Sequence, residues 1–187
     1  MMDLFREDTI LTNTVFEGRV FKVEVQSVRL QDGRPAYREI VRHPGGAGIL
    51  AIDKELHVYL VRQYRKPYDQ VLLEIPAGKL EPDEEPLACA RRELAEETGL
   101  TAEHFEFLAT VYPSPGYCSE TITIFLATGL KPGWSQPEDG EFLSCDRMPL
   151  AEALTLLDLG KIPDAKTRIA LLTLARRLVT RQKTETD

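Results

Sequence analysis

A chain of 187 residues, 43% apolar and 28% charged, has room for one domain with a sizeable core plus a modest extension, and its composition is that of an ordinary globular protein. A net charge of −7 argues against a broad nucleic-acid-binding face, which needs clustered Lys and Arg. Cys89, Cys118 and Cys145 form no Cys-x-x-Cys or close pair, the opening MMDLFREDTILTN lacks the apolar core of a secretion signal, and no run approaches the ~18 apolar residues of a membrane span, so a reduced cytoplasm is expected.

Residues 14–30 alternate from Val20 onward, with Phe21, Val23 and Val25 set against Val20, Lys22, Glu24 and Gln26. That period of two predicts a half-buried strand. Asp32-Gly33 predicts a hairpin turn and Pro35 to Arg42 a returning strand. A meander of two or three strands cannot stand alone. Residues 1–45 are therefore expected to form an N-terminal antiparallel β extension that packs on the main domain, on a second copy, or on both. His43-Pro44-Gly45-Gly46 breaks the pattern. AGILAID and ELHVYLVRQYR then predict two strands split at Asp53-Lys54, a hairpin at the centre of a sheet, and Val71 to Ile75 predicts another, turned by Pro76-Ala77-Gly78.

Residues 78–100, GKLEPDEEPLACARRELAEETGL, hold seven acids against three bases. Asp83, Glu84, Glu85 and Pro86 stand where a helix starts, and Gly99 can end it. On that helix Glu93, Glu96 and Glu97 fall at i, i+3 and i+4, along one side, beside an apolar side of Leu87, Ala90 and Leu94. Like charges so spaced weaken an isolated helix by a few tenths of a kcal/mol per pair, so they call for a cation. A hard divalent ion, Mg²⁺ or Mn²⁺, suits carboxylates and completes its shell with water and phosphate oxygens. Arg92, four residues before Glu96, can hold that carboxylate.

Beyond Leu100 the segment FEFLATVYPSPGYCSETITIFLATGL predicts strand, loop and strand, and Gln136 to Leu143 an acidic loop leading into another strand. Leu150 to Leu159 is an amphipathic helix stopped by Gly160. A last helix spans about Ala165 to Arg181, with Ile169, Leu172 and Leu178 as its buried stripe. The main domain is expected over 46–182, with 183–187 as a frayed tail.

The pattern from Gly78 to Leu100 resembles the Nudix box, GX5EX7REUXEEXGU with U aliphatic, at every defined position. The resemblance implies an α/β/α sandwich with a mixed sheet and a metal-dependent hydrolase of diphosphates that link a nucleoside to another moiety. It assigns Glu93 and Glu97 as metal ligands together with the carbonyl of Ala77, and makes Glu96 a ligand or water-orienting base. Glu84 then reinforces the loop or holds an additional metal.

Further stretches, REIV, HPG and QYR, resemble ADP-ribose pyrophosphatases, as does Pro115, sixteen residues beyond Gly99 and followed by Ser119-Glu120. That likeness implies a homodimer in which Arg38 reaches the nucleotide, Arg65 lies near the phosphates and Glu120 contacts substrate. It also implies a general base on the acidic loop at Glu141, with Asp139 two positions earlier. For each arginine the competing reading is a surface or dimer ion pair. Phe21 or Tyr37 can stack on adenine, apolar packing being the competing use. The reaction so implied is hydrolysis of ADP-ribose to AMP and ribose 5-phosphate. Its rivals are a GDP-mannose or UDP-glucose pyrophosphatase, a non-catalytic nucleotide sensor, which an intact box disfavours, and an RNA 5′-end hydrolase, which the acidity disfavours.

Overall fold

A computed structural model describes residues 5–133 and 142–184. The chain divides into two compact units, Met1–Gly45 with Tyr112–Thr121, and Gly46–Val111 with Ile122–Asp187.

In the first unit β1 (Asp8–Glu17), β2 (Lys22–Arg29) and β3 (Pro35–Arg42) form an antiparallel sheet in that order. The β2–β3 hairpin runs in register from Lys22 opposite Arg42 to Arg29 opposite Pro35. Its turn has Gly33 at φ +84°, and the Asp32 carboxylate accepts the Arg34 N–H. Residues 14–30 are not one strand, because Gly18 donates to the Phe21 carbonyl and turns the chain between β1 and β2. Side-chain alternation also misjudged the better covered face of β2. Gln26 and Val28 are buried, whereas Phe21 is exposed. The Gln26 amide tolerates burial because it donates to Glu24 and accepts from the Thr9 hydroxyl. The 112–121 segment lies along the end of β3, with Val41 donating to the Tyr117 carbonyl and accepting from the Ser119 N–H.

The second unit is built on seven strands: β4 (Gly46–Ile52), β5 (His57–Arg65), β6 (Gln70–Glu74), β7 (Ala77–Lys79), β8 (Leu100–Val111), β9 (Ile122–Pro132) and β10 (Leu143–Pro149). The order is β10-β5-β4-β9-β8, with β6 also on β5 and β7 also on β4. The sheet is mixed, since β4 and β9 run parallel and the other pairs antiparallel. Every residue of β4 is buried, as befits a central strand covered on both faces. Ala47, Ile49 and Ala51 pack with Ala90 and Leu94 of helix α1 (Pro86–Thr98). Leu50 and Ile52 pack with α2 (Leu150–Asp158) and α3 (Ala165–Thr184), so the unit is an α/β/α sandwich.

Pro86 opens α1 after an extended Glu85, and Gly99 closes it at φ +66°. Cys89 lies on its buried side, while Leu87 is exposed. The buried stripe of α3 also differs from the expected one. Ile169 and Leu172 are exposed, and Lys166, Thr167, Ala170, Leu171 and Leu174 are covered. Counting large aliphatic residues missed this face because two of its members are polar and are buried only with hydrogen-bond partners. No helix among the described residues is long and apolar enough to cross a membrane.

Candidate active site

The second unit brings the N-terminal end of β7 against the glutamates of α1. Ala77 donates its N–H to Glu97 Oε2 at 2.9 Å. β7 lies antiparallel on the start of β4, Ala77 opposite Gly48 and Gly78 opposite Ala47. The approach is close because Gly46 has no side chain, and a Cβ there would stand 2.6 Å from the Gly78 carbonyl oxygen. Gly78 is bare for a second reason. A Cβ on it would overlap the Glu93 carboxylate, which fills that space.

Glu93 and Glu97 are 8% and 4% exposed, and carboxylates so covered need a compensating partner. Part of the compensation comes from Arg92, whose side-chain nitrogens donate to Glu84 (3.0 Å), Glu93 (2.7 Å), Glu96 (3.0 Å) and the Lys79 carbonyl (3.2 Å). Arg92 is thus the hub that orients three box carboxylates, and these hydrogen bonds raise the affinity of its guanidinium for its proton. The Arg92 contact, with help from the Glu81 N–H, pulls the Glu84 carboxyl down to about 2. Glu84 also accepts the Glu81 N–H at 3.0 Å, so in this structure it ties the loop ahead of α1. Cys89 adds a neutral donor, its thiol lying 3.7 and 3.6 Å from the carbonyls of Gly78 and Lys79. Burial, with Glu84 and Glu93 nearby, pushes that thiol up to about 12, so it stays protonated.

The donor set is one of hard oxygens on a rigid helix beside a glycine-lined strand. It fits Mg²⁺ or Mn²⁺ in chemistry, and the room left by Gly46 and Gly78 is what lets backbone and carboxylates converge. A different cluster, Asp53, Glu55 and His57, has ligand atoms within 4.8 Å of one another. There Arg147 donates to Asp53 at 2.9 Å and also to Glu55, so a cation already sits on those carboxylates.

Arg65 is bonded side-on to Glu74, Nε to Oε1 and Nη2 to Oε2, both at 2.8 Å. Glu74, in turn, accepts from Lys166 of α3. Burial alone would push the Glu74 carboxyl up, but the Arg65 and Lys166 contacts outweigh it and bring it down to about 2. In the first unit Arg38 is paired with Glu7 and also donates to the Tyr37 carbonyl at 2.8 Å. Glu120 lies there too, 3.7 Å from His43 Nδ1, a nitrogen that accepts the Gly45 N–H. Glu141 and Asp139 lie outside the described residues. Sequence reading passed over Gly46, Cys89, Glu74, Lys166 and Thr167, whose partners are distant in the chain or are backbone groups without a motif.

The family profile described as the NUDIX domain matches residues 42–170. The chain is 43% identical over 173 residues to a methanol dehydrogenase activator of Bacillus methanolicus, covering 91% of this chain and 94% of that protein. It is 40% identical over 172 residues to an ADP-ribose pyrophosphatase of Bacillus subtilis strain 168, covering 91% and 93%. Among solved structures it resembles a crystal structure of an ADP compounds hydrolase, with a TM-score of 0.83, 26% identity and coverage of 97% and 98%.

Proposed function

The chain belongs to the Nudix family of hydrolases, and from that premise we propose that it hydrolyses the diphosphate of ADP-ribose to AMP and ribose 5-phosphate. The observation that carries the reading is the meeting of the Ala77-Gly78 backbone with Glu93 and Glu97 under the hold of Arg92. Similarity to an ADP-ribose pyrophosphatase over nearly the whole of both chains supports the substrate.

Glu93, Glu97 and the Ala77 carbonyl would hold Mg²⁺, with Mn²⁺ as a substitute. Such an ion would supply positive charge against the diphosphate and a water of lowered pKa. Arg92 keeps Glu93 and Glu96 turned toward the substrate side of α1. Glu96, the most exposed of the three at 29% of its side chain, takes the proton of the attacking water, a role shared as candidate base by Glu141. Water adds to one phosphorus, the bridging P–O bond breaks, and the other phosphate leaves with the bridging oxygen. Arg65, fixed through Nε and Nη2, offers its remaining guanidinium edge to the diphosphate. Arg38 and Glu120 are the further substrate contacts that the likeness to ADP-ribose pyrophosphatases implies.

The working form is a homodimer in a reducing cytoplasm. All ten residues of β1 are exposed, among them Ile10, Leu11, Val15 and Phe16, and a long apolar edge strand of this kind invites a second copy.

The test is turnover of ADP-ribose, GDP-mannose and UDP-glucose with Mg²⁺, read by product identity. Release of AMP and ribose 5-phosphate at the highest kcat/KM supports the reading. Preference for GDP-mannose would favour the rival activity, that of relatives such as the GDP-mannose pyrophosphatase of Cronobacter sakazakii, 35% identical over 147 residues.

A further inference from the structure

The exit of β6 is held from 92 residues away. Glu74 and Ile75 lead directly into Pro76, which has no N–H and cannot extend the ladder, so the path of the chain must be set by other groups. The first turn of α3 supplies them. Lys166 Nζ donates to Glu74, and the Thr167 hydroxyl accepts the Ile75 N–H at 2.8 Å. Asp164 binds both, accepting from Lys166 at 3.0 Å and from the Thr167 hydroxyl at 2.6 Å and amide at 2.9 Å. Arg65 closes the network from β5. Two residues on, the Pro76 carbonyl accepts the Ile49 N–H at 2.8 Å and Ala77 meets Glu97. Within residues 74–77 the backbone therefore passes from the grip of α3 to the proposed metal-holding residues.

Packing alone does not ask for this. Glu74, Lys166 and Thr167 are 1%, 8% and 0% exposed, and apolar side chains of the same volume would stabilise such a site as well or better, because buried ions lose their hydration. What charged and hydroxyl groups add is direction, as the outer partners of metal ligands do elsewhere.

We propose that Lys166 and Thr167 are positioning residues for the metal-holding loop. Through the Glu74 carboxylate and the Ile75 amide they fix the register of residues 74–77, so that the Ala77 backbone and Glu97 keep the spacing a divalent cation requires. This rests on the reading of Ala77, Glu93 and Glu97 as the metal holders.

The test uses Mn²⁺ alone as probe, titrated into the full chain without substrate and followed by electron paramagnetic resonance of the free ion. Lys166→Met and Thr167→Val should each weaken Mn²⁺ binding about 10-fold or more, and raise by a similar factor the Mn²⁺ needed for half-maximal turnover. The KM for ADP-ribose at saturating Mn²⁺ should stay within about twofold of native, and Lys166→Arg and Thr167→Ser should recover most of the affinity. Folded Lys166→Met and Thr167→Val chains that melt earlier yet bind Mn²⁺ like the native protein would overturn the proposal and leave the network a purely structural one. Should Lys166→Met not fold, Thr167→Val against Thr167→Ser decides alone, since that pair differs by the hydroxyl. A native chain that takes up no Mn²⁺ is a distinct outcome, and it would overturn the metal reading together with the proposal.

Discussion

Replacing Gly78 by alanine should separate catalysis from stability. Gly78 is not in a positive-φ conformation, so the backbone accepts a side chain there. The obstacle is the Glu93 carboxylate, whose Oε1 and Cδ the new methyl would overlap and whose Oε2 would lie at 2.5 Å, against 3.4 Å for ordinary contact. The farthest of the three atoms must therefore retreat by about 0.9 Å and the nearer two by more, whereas metal ligands tolerate about 0.2 Å. A displacement of about 1 Å at a reacting centre can cost on the order of 100-fold, so kcat/KM for ADP-ribose should fall by about that factor or more. Stability should fall by far less than catalysis. Loss of the Arg92–Glu93 contact costs about 1.5–3 kcal/mol, and the stiffer unfolded chain returns about 0.4–1 kcal/mol. The net loss is about 0.5–2.6 kcal/mol, and at about 2–4 °C per kcal/mol Tm should drop by roughly 1–10 °C. Steady-state turnover and a thermal melt on one preparation check both. Near-native kcat/KM would refute the placement of Glu93 at the reacting centre, and a collapse of Tm would show that the clash falls on the backbone.

Arg92→Ala should lower kcat/KM by about 100-fold or more, since three carboxylates lose their common donor, with Tm reduced as well; a change in KM alone would contradict the orienting role. Glu74 has a folded-state pKa of about 2, below its ordinary 4.5, so its contribution is present above pH 4.5 and is lost as pH falls toward 2. With the side chain only 2% exposed, that lowering amounts to about 3 kcal/mol, and urea unfolding between pH 6 and 2 should show it. In Glu74→Gln that acid limb should be flatter and stability at pH 7 lower by about 3–5 kcal/mol, because Lys166 stays buried without its partner charge; an unchanged acid limb would contradict the assignment. Cys89, pushed up to about 12, should resist iodoacetamide at pH 8 until the chain unfolds, while half-buried Cys118 and exposed Cys145 are modified in the folded chain, as peptide mass spectrometry would read; equal rates at Cys89 and Cys118 would contradict the burial.

The site was legible where its parts are contiguous in sequence. Glu93, Glu96, Glu97 and Arg92 share one helix, so spacing alone places them on one side, and Pro86 and Gly99 mark its ends. The side chain of Ala77 carries no chemistry, and its place came only from the family pattern. Glu74 and Lys166 are separated by 92 residues, and nothing local in either segment announces the other. That separation also explains the misread stripe of α3, where two polar residues are buried because their partners lie on another element. In β2 the alternation misled because a thin three-stranded sheet has no deep face, and Gln26 could be covered once Glu24 and Thr9 satisfied its amide.

The central claim, that a divalent cation is held between the Ala77-Gly78 backbone and the α1 glutamates, is tested most directly by anomalous diffraction from crystals soaked in Mn²⁺. A peak is expected within about 2.2 Å of carboxylate oxygens of Glu93 and Glu97 and of the Ala77 carbonyl, and should disappear in Glu97→Gln. Density only at Asp53, Glu55 and His57, or none beside α1 even with nucleotide bound, would contradict it.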